Sequence, residues 1–130
     1  MLTSEHFLVK TVALAAGCAA LLLLGGCSSM VSVPYKINAE PEGSYLLMQV
    51  TGDDEEVPCV NEWVYLGQTP VQGIRQFDSS VLKKIDKVTL KVMHDGFVGQ
   101  IREWDGEGFW REAEGKGAIY WTPELVETGN

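Results

Sequence analysis

From Thr11 to Gly26 the sequence reads TVALAAGCAALLLLGG, a run without a single charged residue that ends directly before Cys27. No other feature limits the fold so strongly, because a run this apolar cannot belong to the same kind of structure as the polar, turn-rich chain that follows it. A membrane-spanning helix takes roughly 20 apolar residues to cross about 30 Å of hydrocarbon, and this run falls short. A short apolar core behind a charged start, closed by small residues, has the layout of a secretory signal. The start carries one firm cation, Lys10, opposed by Glu5. Residues 1–26 are therefore expected to be a signal peptide. Because Lys10 and Glu5 cancel, the formal charge of −8 falls wholly on the chain from Cys27 onward. An acidic domain does not gather nucleic acid through its overall field, so no nucleic-acid partner is expected.

The close of the run, Leu24-Gly25-Gly26-Cys27, resembles the bacterial lipobox, in which an apolar residue and two small residues precede a cysteine. The resemblance implies that the Cys27 thiol takes a diacylglycerol and that cleavage follows just before it. Gly25 and Gly26 let an extended backbone enter the peptidase. Ala15-Ala16-Gly17-Cys18 offers a second small-small-Cys pattern, but using it would strand Leu21–Leu24 after the cut, so Cys27 is the better acceptor. Each buried methylene of an acyl chain contributes about 0.8 kcal/mol, so a multi-chain anchor holds where one chain does not. The expected location is the cell envelope, with the membrane as a partner through the lipid. Ser28 follows Cys27 where Asp would imply retention at the inner membrane of a Gram-negative cell, and this favours the outer membrane there.

Residues 27–34 read as a lipidated tether, 35–123 as a β domain and 124–130 as a tail. Within the domain, turn residues recur at short intervals. Lys36–Glu40 alternates, Pro41-Glu42-Gly43 turns, and Ser44–Val50 (SYLLMQV) is a strand. Asp53-Asp54-Glu55-Glu56 is an acidic loop, Glu62–Leu66 a third strand, and Gly67-Gln68-Thr69-Pro70 the next turn. In residues 74–86, Ile74, Phe77, Val81, Leu82 and Ile85 recur at helical spacing, with Asp78 or Ser79 as a cap for a helical turn over Ser80–Ile85. Lys87–Met93 alternates, Val88, Leu90 and Val92 on one side and Thr89, Lys91 and Met93 on the other. His94-Asp95-Gly96-Phe97 turns it back into Val98–Trp104. Asp105–Gly108 is expected as a further turn, with Phe109–Glu114 and Ala118–Thr122 as a last hairpin and everything from Pro123 frayed. The sum is an all-β chain, a small β-sandwich with one short helix behind a signal peptide.

Three segments in order resemble the PEGA domain, a small β-sandwich module of bacterial and archaeal envelope proteins. They are Ile37–Tyr45, around Pro41 and Gly43; Leu66–Val71, around Gly67, Thr69 and Pro70; and Val88–Phe97, ending in Gly96-Phe97. Together they cover about Ile37 to Val98. The residues themselves speak of turn chemistry: Pro41 pre-sets φ, Gly43 and Gly67 permit sharp bends, and the Thr69 hydroxyl can satisfy backbone groups in the turn. Ser44 stands where the family has Ala, the stretch before Gly67 is longer than a simple hairpin, 74–86 is an insertion, and the family does not account for the chain after Val98.

Little in the sequence speaks for catalysis. His94 and Asp95 adjoin at a turn without a nucleophile nearby. Cys59, unpaired once Cys27 is acylated, reads as a small buried hydrophobe beside Val57 and Val60. The acidic loop lacks the spaced ligands of a calcium site and reads as solvated. No metal or other cofactor is implied, and no enzyme activity is expected. Trp63, Trp104, Trp110 and Trp121 supply core volume or, at Trp104 and Trp110 around the Asp105–Gly108 turn, an exposed aromatic tip. The reading is a non-enzymatic, lipid-anchored envelope protein with a structural or binding role toward an envelope protein or the cell wall. The alternative is an accessory subunit of an envelope export or secretion assembly. A cell-wall hydrolase is the weakest option, since no cluster of titratable residues supports it.

Overall fold

The computed structural model describes residues 29–129, so the expected signal peptide, Leu24, Gly25, Gly26 and Cys27 lie outside the described residues. The described chain is mostly β-sheet, with three sheets and two short helices. Strands β1 (Met30–Ile37), β2 (Tyr45–Thr51), β3 (Trp63–Gln68) and β4 (Val71–Asp78) are followed by helix α1 (Ser79–Leu82). Then come β5 (Lys87–Met93), β6 (Phe97–Val98), β7 (Gln100–Trp104), helix α2 (Gly106–Lys116), β8 (Ile119–Trp121) and β9 (Val126–Glu127). The sheets are ordered β4-β1-β8, β3-β2-β5-β7 and β6-β9.

Period-two alternation explains the two larger sheets. In β2, Leu46, Met48 and Val50 point inward, and in the antiparallel neighbour β5 their partners Val92, Leu90 and Val88 do the same. From the other sheet Val33, Tyr35 and Ile37 of β1, Phe77 of β4 and Ile119 of β8 join them in one buried cluster. Burying one such aliphatic side chain contributes about 1.5–3 kcal/mol. Pro34 lies in β1 without breaking a ladder, because β8 pairs with β1 only from Tyr35 onward. On the edge strand β4, Gly73 sits opposite Tyr35, whose hydroxyl lies 2.5 Å from where a Cβ would stand. The missing side chain is what lets the phenol cross the ladder.

Five expectations are corrected. The tether does not run free to residue 34: β1 begins at Met30 and pairs with β4 over its whole length, since Val31 and Val33 already alternate inward. Ile74–Asp78 is strand, not helix. Phe77 faces the core while Ile74 is exposed, and only Ser79–Leu82 is helical, capped by the Asp78 carboxylate accepting from the Ser80 N–H at 3.0 Å. The expected turn and strand at Asp105–Glu114 are instead the N-cap and body of α2. Asp105 Oδ1 accepts from the Gly108 N–H at 2.5 Å, and Phe109 and Ala113, four residues apart, are buried on one face. The residues of Ala118–Thr122 that form β8 therefore make no hairpin with 109–114 but join β1 in parallel. The last correction concerns the chain end. Leu125 is buried and its N–H donates to the Glu40 carbonyl at 2.8 Å, and β9 pairs with β6.

Candidate functional site

The turn residues that carry the family resemblance come together. Two corners of the fold, Pro41–Ser44 and Gly67–Pro70, are sewn to each other. The Gly43 N–H donates to the Thr69 carbonyl at 2.8 Å, and the Thr69 N–H donates to the Ser44 carbonyl at 2.8 Å. The Ser44 N–H donates to Thr69 Oγ1 at 3.0 Å, and Ser44 Oγ donates to the Pro41 carbonyl at 2.6 Å. Ser44 and Thr69 are both buried, and the Glu40–Pro41 and Thr69–Pro70 peptides are cis. The Thr69 hydroxyl thus satisfies the backbone of the other corner rather than of its own turn. Gly67 has φ near +134°, which L side chains avoid, and it closes a bulge where Leu46 pairs with Gly67 but Leu47 pairs with Tyr65, leaving Leu66 over. This knot fixes the start of β2 against β3. Its polar groups are spent on one another, so its role is to position what lies beside it.

Beside it lies the outer face of the four-stranded sheet. The register aligns Tyr65, Leu47, Lys91 and Ile101 across β3, β2, β5 and β7, with Trp63, Gln49, Thr89 and Glu103 in the next row and Tyr45 beside Met93 in the row before. Tyr65 and Ile101 are each 56% exposed, Trp63 46% and Tyr45 41%. The rings of Tyr45 and Tyr65 are 6.1 Å apart, and the Lys91 ammonium reaches over the Trp63 ring at 5.8 Å. Contiguous exposed apolar surface with polar residues among it is the mark of an interaction face rather than of chance exposure. The sequence held a signal for it: SYLLMQV in β2 is apolar at positions of both parities, the pattern of a strand covered on both faces.

The other candidates fall into place. Trp104 and Trp110 are partly buried against the core, Trp104 edge-on to Phe109 at 5.1 Å, so no aromatic tip stands at residues 105–108. Arg102 lies over the Trp104 ring at 4.6 Å and pairs with Glu112 at 2.7 Å, fastening α2 to β7. Cys59 is exposed, not buried, because Val57 takes the inward position of that loop while Cys59 sits at a φ of 55°. In the acidic loop, Lys84 lies 3.1 Å from Asp54 and 3.3 Å from Glu56. The backbone N–H of Glu56, and then Lys84, hold the Asp54 carboxyl below its ordinary range, while Asp54 and then Glu56 push the Lys84 ammonium up. Two of the four loop carboxylates are thus already engaged. His94 Nδ1 contacts the Asp95 carbonyl at 2.9 Å and its ring stands edge-on to Phe97. Among the described residues no group of three or more His, Cys, Asp or Glu is placed to hold a metal ion, and no helix is long and apolar enough to cross a membrane. In comparisons with known proteins, no family, no curated protein and no solved structure matches the chain.

Proposed function

We propose that this chain is a lipid-anchored protein of the bacterial cell envelope whose PEGA-like β-sandwich is a non-enzymatic module that docks another envelope protein. Two independent arguments support the reading. The apolar run ending in Leu24-Gly25-Gly26-Cys27 supports lipidation at Cys27. The observation that carries the docking half is the aromatic outer face of β3-β2-β5-β7, where Trp63, Tyr65 and Tyr45 meet Met93 and Ile101 in solvent. Tryptophan and tyrosine are the residues on which protein interfaces concentrate their binding energy. The face suits a protein partner in charge as well. In a chain of net charge −8 it presents Lys87 and Lys91 against one acid, Glu103, so an acidic or neutral apolar surface can approach where the rest of the domain repels it.

The test has two parts. Mass spectrometry of the N-terminus from envelope fractions should find acylated Cys27, and Cys27→Ser should abolish the modification. A photo-crosslinking amino acid at Tyr65 should yield a discrete protein adduct in cells, and the same group at Gln72, on the outer face of the other sheet, should not. Equal adducts from both positions, or none from Tyr65, would reject the docking face, and an unmodified Cys27 would reject the anchor.

A further inference from the structure

Lys36 of β1 stands in register between Gln72 of β4 and Tyr120 of β8, so one row of outward side chains crosses the whole three-stranded sheet. Two residues further along the same three chains come Pro70, Asn38 and Thr122, where the Asn38 N–H donates to the Trp121 carbonyl at 3.0 Å. These six residues line a groove of about 450 Å³ that is open to solvent. Small-ligand sites run from roughly 300 to 1,000 Å³, so the volume suits one. Strands lie about 4.8 Å apart and alternate residues about 6.7 Å apart along a strand, which gives the two rows a floor of about 10 Å by 7 Å.

The chemistry of that floor is uneven. Lys36 is the one charged residue in the lining, and its ammonium makes no ion pair among the described residues. The acids that follow in register, Glu40 and Glu124, stand beyond Asn38 and Thr122, at the end away from Lys36. Asn38 Oδ1 accepts from the Ala39 N–H at 2.8 Å, so what Asn38 offers the groove is its amide NH2. Gln72 and the Thr122 hydroxyl both donate and accept, and Tyr120 adds a ring that is 50% exposed. An ammonium without an acid suits an anion. Amides and hydroxyls set close together suit a body rich in hydroxyls, and an exposed ring suits the flat C–H face of a sugar. We propose that this groove binds an acidic sugar, its ring on Tyr120, its carboxylate on Lys36 and its hydroxyls on Asn38, Gln72 and Thr122. A free sugar acid and a uronate residue of a glycan present the same chemistry. The groove lies on the opposite sheet from the aromatic face, and its ligand does not rest on the docking role.

The test titrates the full chain with methyl galacturonide and follows the backbone amides in proton–nitrogen correlation spectra. The signals of Lys36, Asn38, Gln72 and Tyr120 should shift saturably, while those of Tyr65 and Ile101 on the other sheet stay in place. Methyl galactoside, which lacks the charge, and acetate, which lacks the ring, should each bind at least about threefold more weakly. Lys36→Gln should weaken the galacturonide by the same factor and leave the galactoside unchanged. Tyr120→Ala should weaken both sugars about fivefold, and Tyr120→Phe, which keeps the ring, should weaken neither. Lys36→Gln is the variant to read if Tyr120→Ala does not fold. Tighter binding of trigalacturonate than of the monosaccharide identifies a glycan as the ligand, and equal binding identifies the free acid. Absent shifts, acetate or the galactoside binding as well as the galacturonide, or unchanged galacturonide binding in Lys36→Gln would overturn the proposal.

Discussion

On the outside of the three-stranded sheet, Ser32, Pro34 and Lys36 of β1 lie across from Gln76, Ile74 and Gln72 of β4, and the exposed apolar side chains there, Met30, Ile74 and Tyr120, stand on three different strands among these polar residues. The outside of the four-stranded sheet carries Trp63, Tyr65, Tyr45, Leu47, Met93 and Ile101, with Lys91 among them. Both sheets rest on one buried cluster, so the need for a core cannot account for the difference. An antiparallel sheet covered on one side ordinarily shows polar residues on the other. The first sheet, antiparallel between β1 and β4 and parallel between β1 and β8, comes closer to that pattern than the second, where the exposed rings stand side by side. The contrast teaches that the inner residues of β2 and β5 answer to the core while their outer residues do not, and on the proposed reading a docked partner supplies the second demand.

The contrast holds only if the inner faces really form a single core. Phe109 is the place to break it, because its ring meets Phe77 of the three-stranded sheet at 6.3 Å and Trp104 of the four-stranded sheet at 5.1 Å, and it is 1% exposed. Phe109→Ala should cost about 3–5 kcal/mol in urea unfolding, in one transition. A loss under about 1 kcal/mol, or two transitions, would mean that the sheets are stabilised separately.

The next largest effect concerns the bulge that sets which residues of β3 face outward. A side chain at Gly67 would face a forbidden φ, and its Cβ would stand 3.2 Å from Val71 Cγ2. Gly67→Val should destabilise by about 1–3 kcal/mol. It should also disturb the pairing of Tyr65 with Leu47, seen as a change in the Tyr65 ring signals. A neutral result would show that the bulge does not hold Tyr65 in place. Asp105→Ala, which removes the cap of α2, should cost about 1 kcal/mol by urea midpoint and leave the outer face untouched. A shift in the Tyr65 signals there would mean that the two regions are coupled.

How much of this was legible depended on whether the signal was local. Alternation in Lys87–Met93 and the turn at His94–Phe97 are local, and the structure has both. The cap at Asp78 was legible too, but the helical spacing of Ile74 and Phe77 misled, because three residues apart also fits a strand that buries Phe77 and exposes Ile74. In α2, Gly106, Gly108 and Gly115 look like turn residues, and each costs a helix about 1 kcal/mol. Burial of Phe109 and Ala113 outweighs that, and burial is decided by distant strands. The knot residues Pro41, Gly43, Gly67, Thr69 and Pro70 could be singled out one turn at a time. That Thr69 would serve the backbone of Ser44, 25 positions away, could not. The aromatic face left one local trace, the apolar residues at both parities of SYLLMQV, but a tryptophan in a strand reads the same whether its side of the sheet is covered or open.

The smallest expected effect on stability is the one that separates the two outer faces. Tyr65→Ser and Ile101→Ser remove apolar surface that is more than half in solvent. Surface changes of this kind stay within about 0.5 kcal/mol, so each variant should unfold at nearly the wild-type urea midpoint. Gln72→Ser and Gln76→Ser, on the other sheet, should be equally silent. Binding should divide what stability does not. If the aromatic face docks a protein, Tyr65→Ser and Ile101→Ser lose the crosslinked adduct formed from a probe at Trp63, whereas Gln72→Ser and Gln76→Ser keep it. A stability loss well above 1 kcal/mol in the first pair would give the exposed rings a structural task instead, covering the sheet, and the contrast between the faces would then be one of packing. Unchanged stability with an unchanged adduct in all four variants would leave the face apolar but idle, and would remove the reason for assigning it a partner.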